Sequence, residues 1–295
     1  MKLITIISLS ILFIGCTNNP IEEHKPNDST KDATLLFKSG FEKGVYLDTK
    51  AYTDCEEYRF IKGTDKETQF TWPIDILGAF ESGLHYIDDD NHKAVFSKLQ
   101  TTIGHDGNET IALYQQENYD LDITQCPYEI LDIKDGRKDL YIRYWMKLDS
   151  QSLKKSNMWR AIFEYKTKLY DEGNGDGFRL IAYIYTDEND SVPFWHWQGD
   201  SNPDNPIWEI ENKDIPVPMN QWFLTEFYWH WSEGSDGRAL WRVNGQVVGD
   251  HYGPTTRNSQ PIDFIMLTQI YGDSNPKHQW IDDIEIWSKI PQKYE

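Results

Sequence analysis

The 295-residue sequence predicts an antiparallel β-sandwich, and three observations carry that prediction. Beyond residue 34 apolar residues recur with period two, the spacing that sends alternate side chains of a strand to opposite faces. Clusters of Gly, Asn, Asp and Pro punctuate those runs, two of them at hairpin spacing. No convincing long helical pattern and no second compositional regime follow, so residues 34–295 read as one two-sheet domain.

Composition narrows the function classes. At 39% hydrophobic and 26% charged the chain is globular, which excludes wholesale disorder and collagen-like repeats. Against 29 Lys and Arg stand 48 Asp and Glu, a net charge of −19 with no basic run to offset it. Such a chain repels a phosphate backbone, so no nucleic-acid partner is expected. Twelve Trp, 17 Tyr and 13 Phe serve a core and also suit stacking against sugar rings.

In chain order, Lys2 precedes the apolar run Leu3–Ile14 and then Gly15-Cys16. The run is too short to span a bilayer and has the form of a secretory leader. A small residue before a cysteine resembles a bacterial lipobox, in which Cys16 is lipidated and becomes the mature N-terminus. A leader cut elsewhere, or a buried helix, is the alternative. Residues 17–33 are rich in Asn, Pro, Glu and Lys and read as a flexible tether. Export to the cell envelope on a lipid anchor follows, the anchor being the only membrane contact expected. Cys55 and Cys126 then remain, either as a disulfide that an exporting compartment permits or as two buried thiols.

The strands read as follows. Leu140, Ile142, Tyr144, Met146 and Leu148 alternate with Tyr141, Arg143, Trp145 and Lys147. Trp159, Ala161, Phe163 and Tyr165 stand opposite Arg160, Ile162, Glu164 and Lys166. Leu180, Ala182 and Ile184 oppose Arg179, Ile181, Tyr183 and Tyr185. Phe223, Phe227, Trp229 and Trp231 oppose Leu224, Glu226, Tyr228 and His230. Residues 262–271 and 280–287 continue the pattern. Gly234-Ser235-Asp236-Gly237 and Asn244-Gly245 supply the hairpin turns, the latter with the residues that a type I′ turn requires. Several strands present a second face that mixes cations, carboxylates and aromatics: Arg143, Arg160, Glu164, Lys166, Tyr183, Tyr185, Glu226, Tyr228, His230, Gln269 and Tyr271. On the outer side of a curved sheet such a face would grip a sugar chain; otherwise it is a solvated face with incidental ion pairs.

Several motifs carry a family resemblance: Phe41-Glu42, the Gly104–Gly107 turn, Trp159–Thr167, Trp195–Asp200, Val243–Gln246 and Trp280–Trp287. Together they resemble bacterial concanavalin A-like jelly-roll proteins of the polysaccharide lyase type, heparin-lyase-like and glucuronan-lyase-like, over about residues 35–291. The resemblance implies a jelly roll of two antiparallel sheets and β-elimination on an acidic, uronate-containing polysaccharide. That reaction needs a cation to neutralise the uronate carboxylate, a base for the C5 proton and an acid for the departing oxygen. Arg143, Arg160 or Lys166 would neutralise, His196 or His230 would act as base and Tyr271 as acid. Glu164, Tyr183, Glu226 and Gln269 would contact substrate, with Trp195 and Trp197 stacking on it. Each histidine, His105 included, also has a plain structural reading among its aromatic or glycine neighbours. Neither Gln-Ile-His nor Tyr-x-Lys-x-Gly-x-Tyr, the marks of another jelly-roll lyase family, occurs. No catalytic cofactor is called for. In such sandwiches the first and last strands lie together, so Glu42 with Asp282 or Asp283 would supply oxygen ligands for a structural calcium. Three alternatives stay open: a glycan-binding lipoprotein without catalysis, a structural or adhesive surface protein in which the sandwich only packs, and a glycoside hydrolase pairing Glu164 with Glu226.

Overall fold

The computed structural model describes residues 33–51, 56–72, 83–89, 92–117, 130–132, 137–150, 153, 155–171, 177–201, 205–257, 264–267, 271–272 and 277–295. Cys16, Cys55, Cys126 and Gln269 fall outside them, and with them the leader, nearly all of the tether and the disulfide expectation. The first half of the chain gives β1 (Leu35–Ser39), β2 (Tyr46–Ala51), β3 (Glu56–Thr64), β4 (Thr71–Trp72), β5 (Gly83–Asp89), β6 (His92–Ile103) and β7 (Glu109–Glu117). Then come β8 (Ile130–Asp132), β9 (Asp139–Leu148), β10 (Trp159–Lys166), the single turn α1 (Lys168–Asp171), β11 (Arg179–Tyr185), β12 (Phe194–Ser201) and β13 (Asn205–Asn212). The last are β14 (Trp222–His230), β15 (Arg238–Val243), β16 (Gln246–Tyr252), β17 (Phe264–Met266), β18 (Tyr271–Gly272) and β19 (Lys277–Trp287).

These strands make two antiparallel sheets, as the period-two pattern requires. The larger runs β16-β15-β14-β9-β19-β7-β6-β5-β3-β2, with β1 paired to β19 and β4 to β3. The smaller runs β13-β12-β11-β10-β17-β8, with β18 paired to β10. First and last strands do lie together, Lys38 opposite Glu285. The Asn244-Gly245 hairpin has φ of 49° and 76°, the left-handed pair that its residues permit.

The core is the space between the sheets. Phe163 of β10 stacks on Phe227 of β14 at 4.0 Å, and Trp195 and Trp197 of β12 pack on Trp241 of β15 at 5.1 and 5.7 Å. Burying one such indole is worth up to roughly 4–6 kcal/mol. Trp195 and Trp197 are both 0% exposed, so the stacking role expected of them is corrected: neither ring has a face to offer a sugar.

Arg160 is also corrected. The register slips between Ala161 and Phe163, a bulge that exchanges the faces of β10 at its middle. Arg160 therefore points inward, fully buried, and donates to Gln279 Oε1 at 3.0 Å; Gln279 in turn donates to Gln115 Oε1 at 2.8 Å. It belongs to a polar thread between the sheets, and Glu164 joins Trp159 and Ala161 on the outer side.

Candidate functional site

The outer face of the smaller sheet gathers the chemistry. Ladder pairing sets Lys166 beside Arg179 and Arg179 beside Asp200, Glu164 beside Ile181 and Ile181 beside Gln198. The next row runs from Tyr271 of β18 across Ala161 and Tyr183 to His196 and Glu211. Ala161, the smallest side chain of that row, separates Tyr183 from the β18 position. Tyr271 is described only by that backbone pairing.

His196 is oriented by a hydrogen-bonded relay. Arg179 grips Asp200 through Nε and Nη2 at 3.1 and 2.7 Å, and Gln198 Nε2 donates to Asp200 Oδ2 at 2.7 Å. The Gln198 amide is thereby fixed, and its Oε1 faces His196 Nε2 at 3.1 Å. An oxygen there makes Nε2 the protonated nitrogen and leaves the Nδ1 lone pair available. Burial pushes the imidazole below its ordinary value, opposed by Glu209, Gln198 and Glu211. Glu209 Oε1 lies 3.4 Å from Nε2 and Glu211 Oε1 3.9 Å from Nδ1. A neutral imidazole with a defined lone pair beside two carboxylates can accept a proton and hold the resulting charge.

Tyr185 and Tyr183 flank the imidazole, with ring centroids 4.8 and 6.0 Å away. Burial pushes the Tyr183 phenol far up, so it keeps its proton. Lys166 Nζ lies 3.6 Å from Glu164 Oε1, and the Arg179 guanidinium sits 4.8 Å over the Tyr170 ring. The sequence had His196, Tyr183, Glu164 and Lys166. It missed the orienting role of Gln198 and Asp200, although both share the alternate positions of His196 in Trp195–Asp200.

The remaining predicted residues lie elsewhere. Arg143, Glu226 and His230 occupy the outer face of the larger sheet, with the whole core between them and His196. Arg143 stacks 3.7 Å over Tyr294, Glu226 accepts from the Tyr141 hydroxyl, and His230 Nδ1 meets Asp139 Oδ1 at 2.8 Å. They are therefore corrected as partners of His196. The hydrolase pairing falls for the same reason, because Glu164 and Glu226 face away from each other on opposite sides of the sandwich.

At the β1–β19 end Glu42 Oε1 accepts from Thr110 Oγ1 at 2.7 Å and from the Ile111 amide at 3.1 Å. Thr110 Oγ1 also lies 3.1 Å from Asp282 Oδ2. Burial, then the charge of Asp283, pushes Asp282 up to about 8. The Thr110 hydroxyl thus faces both carboxylates and bridges Glu42 to Asp282. Asp283, at φ 49°, turns its Oδ2 to His105 Nε2 at 2.9 Å, and His105 stacks on Trp145 at 4.0 Å. Among the described residues no three His, Cys, Asp or Glu side chains gather as metal ligands. Of the acids expected to hold calcium, Asp283 pairs with His105, while a hydroxyl lies between Glu42 and Asp282.

No protein-family model and no curated protein matches the chain. Among solved structures it is similar to the alginate lyase Aly36B, with 16% identity, coverage of 64% of this chain and 82% of that one, and a TM-score of 0.49. It is also similar to an endo-β-1,4-glucuronan lyase from the fungus Trichoderma reesei (13% identity, 67% and 91% coverage, TM-score 0.47). A botulinum neurotoxin type C structure matches as well (12% identity, 71% and 45% coverage, TM-score 0.43). Likeness this distant leaves the reaction to be read from the chain's own residues.

Proposed function

We propose that the outer face of the smaller sheet cleaves a uronate-containing polysaccharide by β-elimination. The observation that carries the reading is the relay Arg179–Asp200–Gln198–His196, which presents a neutral imidazole lone pair next to a protonated phenol. His196 Nδ1 takes the C5 proton, and the C5–H electron pair forms the C4=C5 double bond as the C4–O bond breaks. The Tyr183 hydroxyl protonates the departing oxygen. Lys166 and Arg179 supply positive potential toward the uronate carboxylate, which makes the C5 proton acidic. No cofactor enters this scheme. The leader and Cys16 read from the sequence would hold the enzyme at the cell envelope on a lipid anchor.

The test is ultraviolet absorbance of the unsaturated product with alginate, polyglucuronate, ulvan, pectate and heparinoids as substrates. A rise on one of them, reduced about 10²–10⁴-fold in His196→Ala and in Tyr183→Phe, is expected. A rise that both variants retain, or no rise on any substrate, refutes the assignment.

A further inference from the structure

The opposite outer face carries a second pattern that the candidate site does not use. Five successive strands of the larger sheet place Trp222 of β14, Lys147 of β9, Trp280 of β19, Tyr114 of β7 and Lys98 of β6 directly opposite one another. At about 4.8 Å per strand the row is about 19 Å long, the scale of a short oligosaccharide. Along it the order is ring, cation, ring, ring, cation. Lys147 Nζ sits 4.7 Å from the Trp280 ring and 5.9 Å from that of Trp222; Trp280 and Tyr114 are 5.0 Å apart; and Lys98 Nζ is 5.1 Å over Tyr114.

The row is held before any ligand arrives. The Trp222 indole N–H donates to Ile103 O at 2.8 Å, and the Tyr114 hydroxyl meets His278 Nδ1 at 2.6 Å. Trp222, Lys147 and Trp280 are half-buried and Lys98 is exposed. Asp149 acts electrostatically on Tyr114 and His278. Lys147 has only its two indole neighbours and no carboxylate within ion-pair distance among the described residues. In a chain of net charge −19, a half-buried ammonium with no carboxylate beside it among the described residues favours the approach of an external anion. Indole and phenol rings offer apolar surface to the C–H faces of pyranose units, and the two ammonium groups match carboxylates carried along such a chain.

We infer that this cross-strand row is a second binding site for a carboxylated polysaccharide, on the face of the sandwich turned away from His196. It takes its ligand class from the proposed function but needs no catalysis. The full chain would be run by affinity electrophoresis through gels containing alginate or polyglucuronate, with a neutral β-glucan gel as control, all on the His196→Ala background to prevent cleavage. Retardation in the carboxylated gels is expected, weakened about fivefold or more by Lys147→Ala and by Trp222→Ala, and largely kept by Lys147→Arg, whose retained charge also reports an intact fold. Retardation unchanged in Lys147→Ala and Trp222→Ala, equal retardation in the neutral gel, or none at all overturns the inference. Product formation by the chain with His196 intact reads the other face separately. Lys147-dependent retardation without product would sink the lyase reading alone, and product with row-independent retardation would sink this site alone.

Discussion

Removing the two carboxylates beside His196 is expected to push its imidazole further down. Glu209 and Glu211 are 47% and 54% exposed, so water and salt reach both charges. Unit charges about 4 Å apart attract by about 1 kcal/mol in bulk water, and measured exposed pairs give roughly half that. Two such pairs sum to about 1 kcal/mol, or about 0.7 of a pKa unit, present only when the imidazole is charged. Glu209→Gln with Glu211→Gln should therefore lower the His196 titration midpoint by about that amount, and each single change by about half of it. Proton NMR of the imidazole reads the shift directly, and the acid limb of kcat/KM should move with it. Stability follows with a definite sign. The folded-state value already lies below the ordinary one, so the unfolded chain takes the proton more readily. The stability contributed by the neutral buried ring is complete above an ordinary pKa of about 6.5 and is lost as pH falls through the folded value. The double variant should extend that loss to lower pH. A midpoint that rises or stays put would show that the two glutamates do not act on the imidazole as their distances imply.

Three further outcomes are expected. Burial pushes Glu285 up, yet bonds from Tyr294, Lys38 and Trp287 hold it below the ordinary carboxylate range. Glu285→Gln should cost roughly 1–3 kcal/mol at pH 7 in denaturant melts, a deficit that shrinks as pH falls through the carboxylate range, since a lowered pKa stabilises only above it. Gly245→Ala meets no atom within 4 Å but keeps φ at +76°, so the loss should be conformational, about 1 kcal/mol in thermal unfolding, without change in either glycan assay. Trp195→Ala should lower stability by roughly 3–5 kcal/mol while Trp195→Phe leaves glycan retardation intact, which separates a core indole from a stacking platform.

Much of the architecture was legible because β9, β11 and β14 alternate without interruption. β10 was not, because its bulge sits in Ala161-Ile162-Phe163, where neither Gly nor Pro marks a change of face, so Arg160 was assigned to the wrong side. Trp195 and Trp197 were misread for a different reason. The resemblance gave them to substrate along with His196, whereas neighbours in a strand face opposite ways, and His196 shares its face with Gln198 and Asp200. His230 and Arg143 were correctly placed on outward faces. Which sheet owned those faces is set by β9 and β14 joining β19 while β10 to β13 assemble separately, a choice that strand patterning does not encode. The orientation of His196 was illegible because it depends on an amide turned by an aspartate that Arg179 reaches from another strand.

The position of β19 has a consequence for how the chain folds. It lies between β9 and β7, joining one run of the larger sheet to the other, and it also receives β1. The two runs become one sheet only when residues 277–287 pair with β9 on one side and β7 on the other. Pairings that span nearly the whole sequence fold on the slow end of the scale, from milliseconds to seconds. A sheet whose two runs are joined by its last strand gains its central pairings late, so slow refolding that ends with β19 docking is the kinetic signature of this topology.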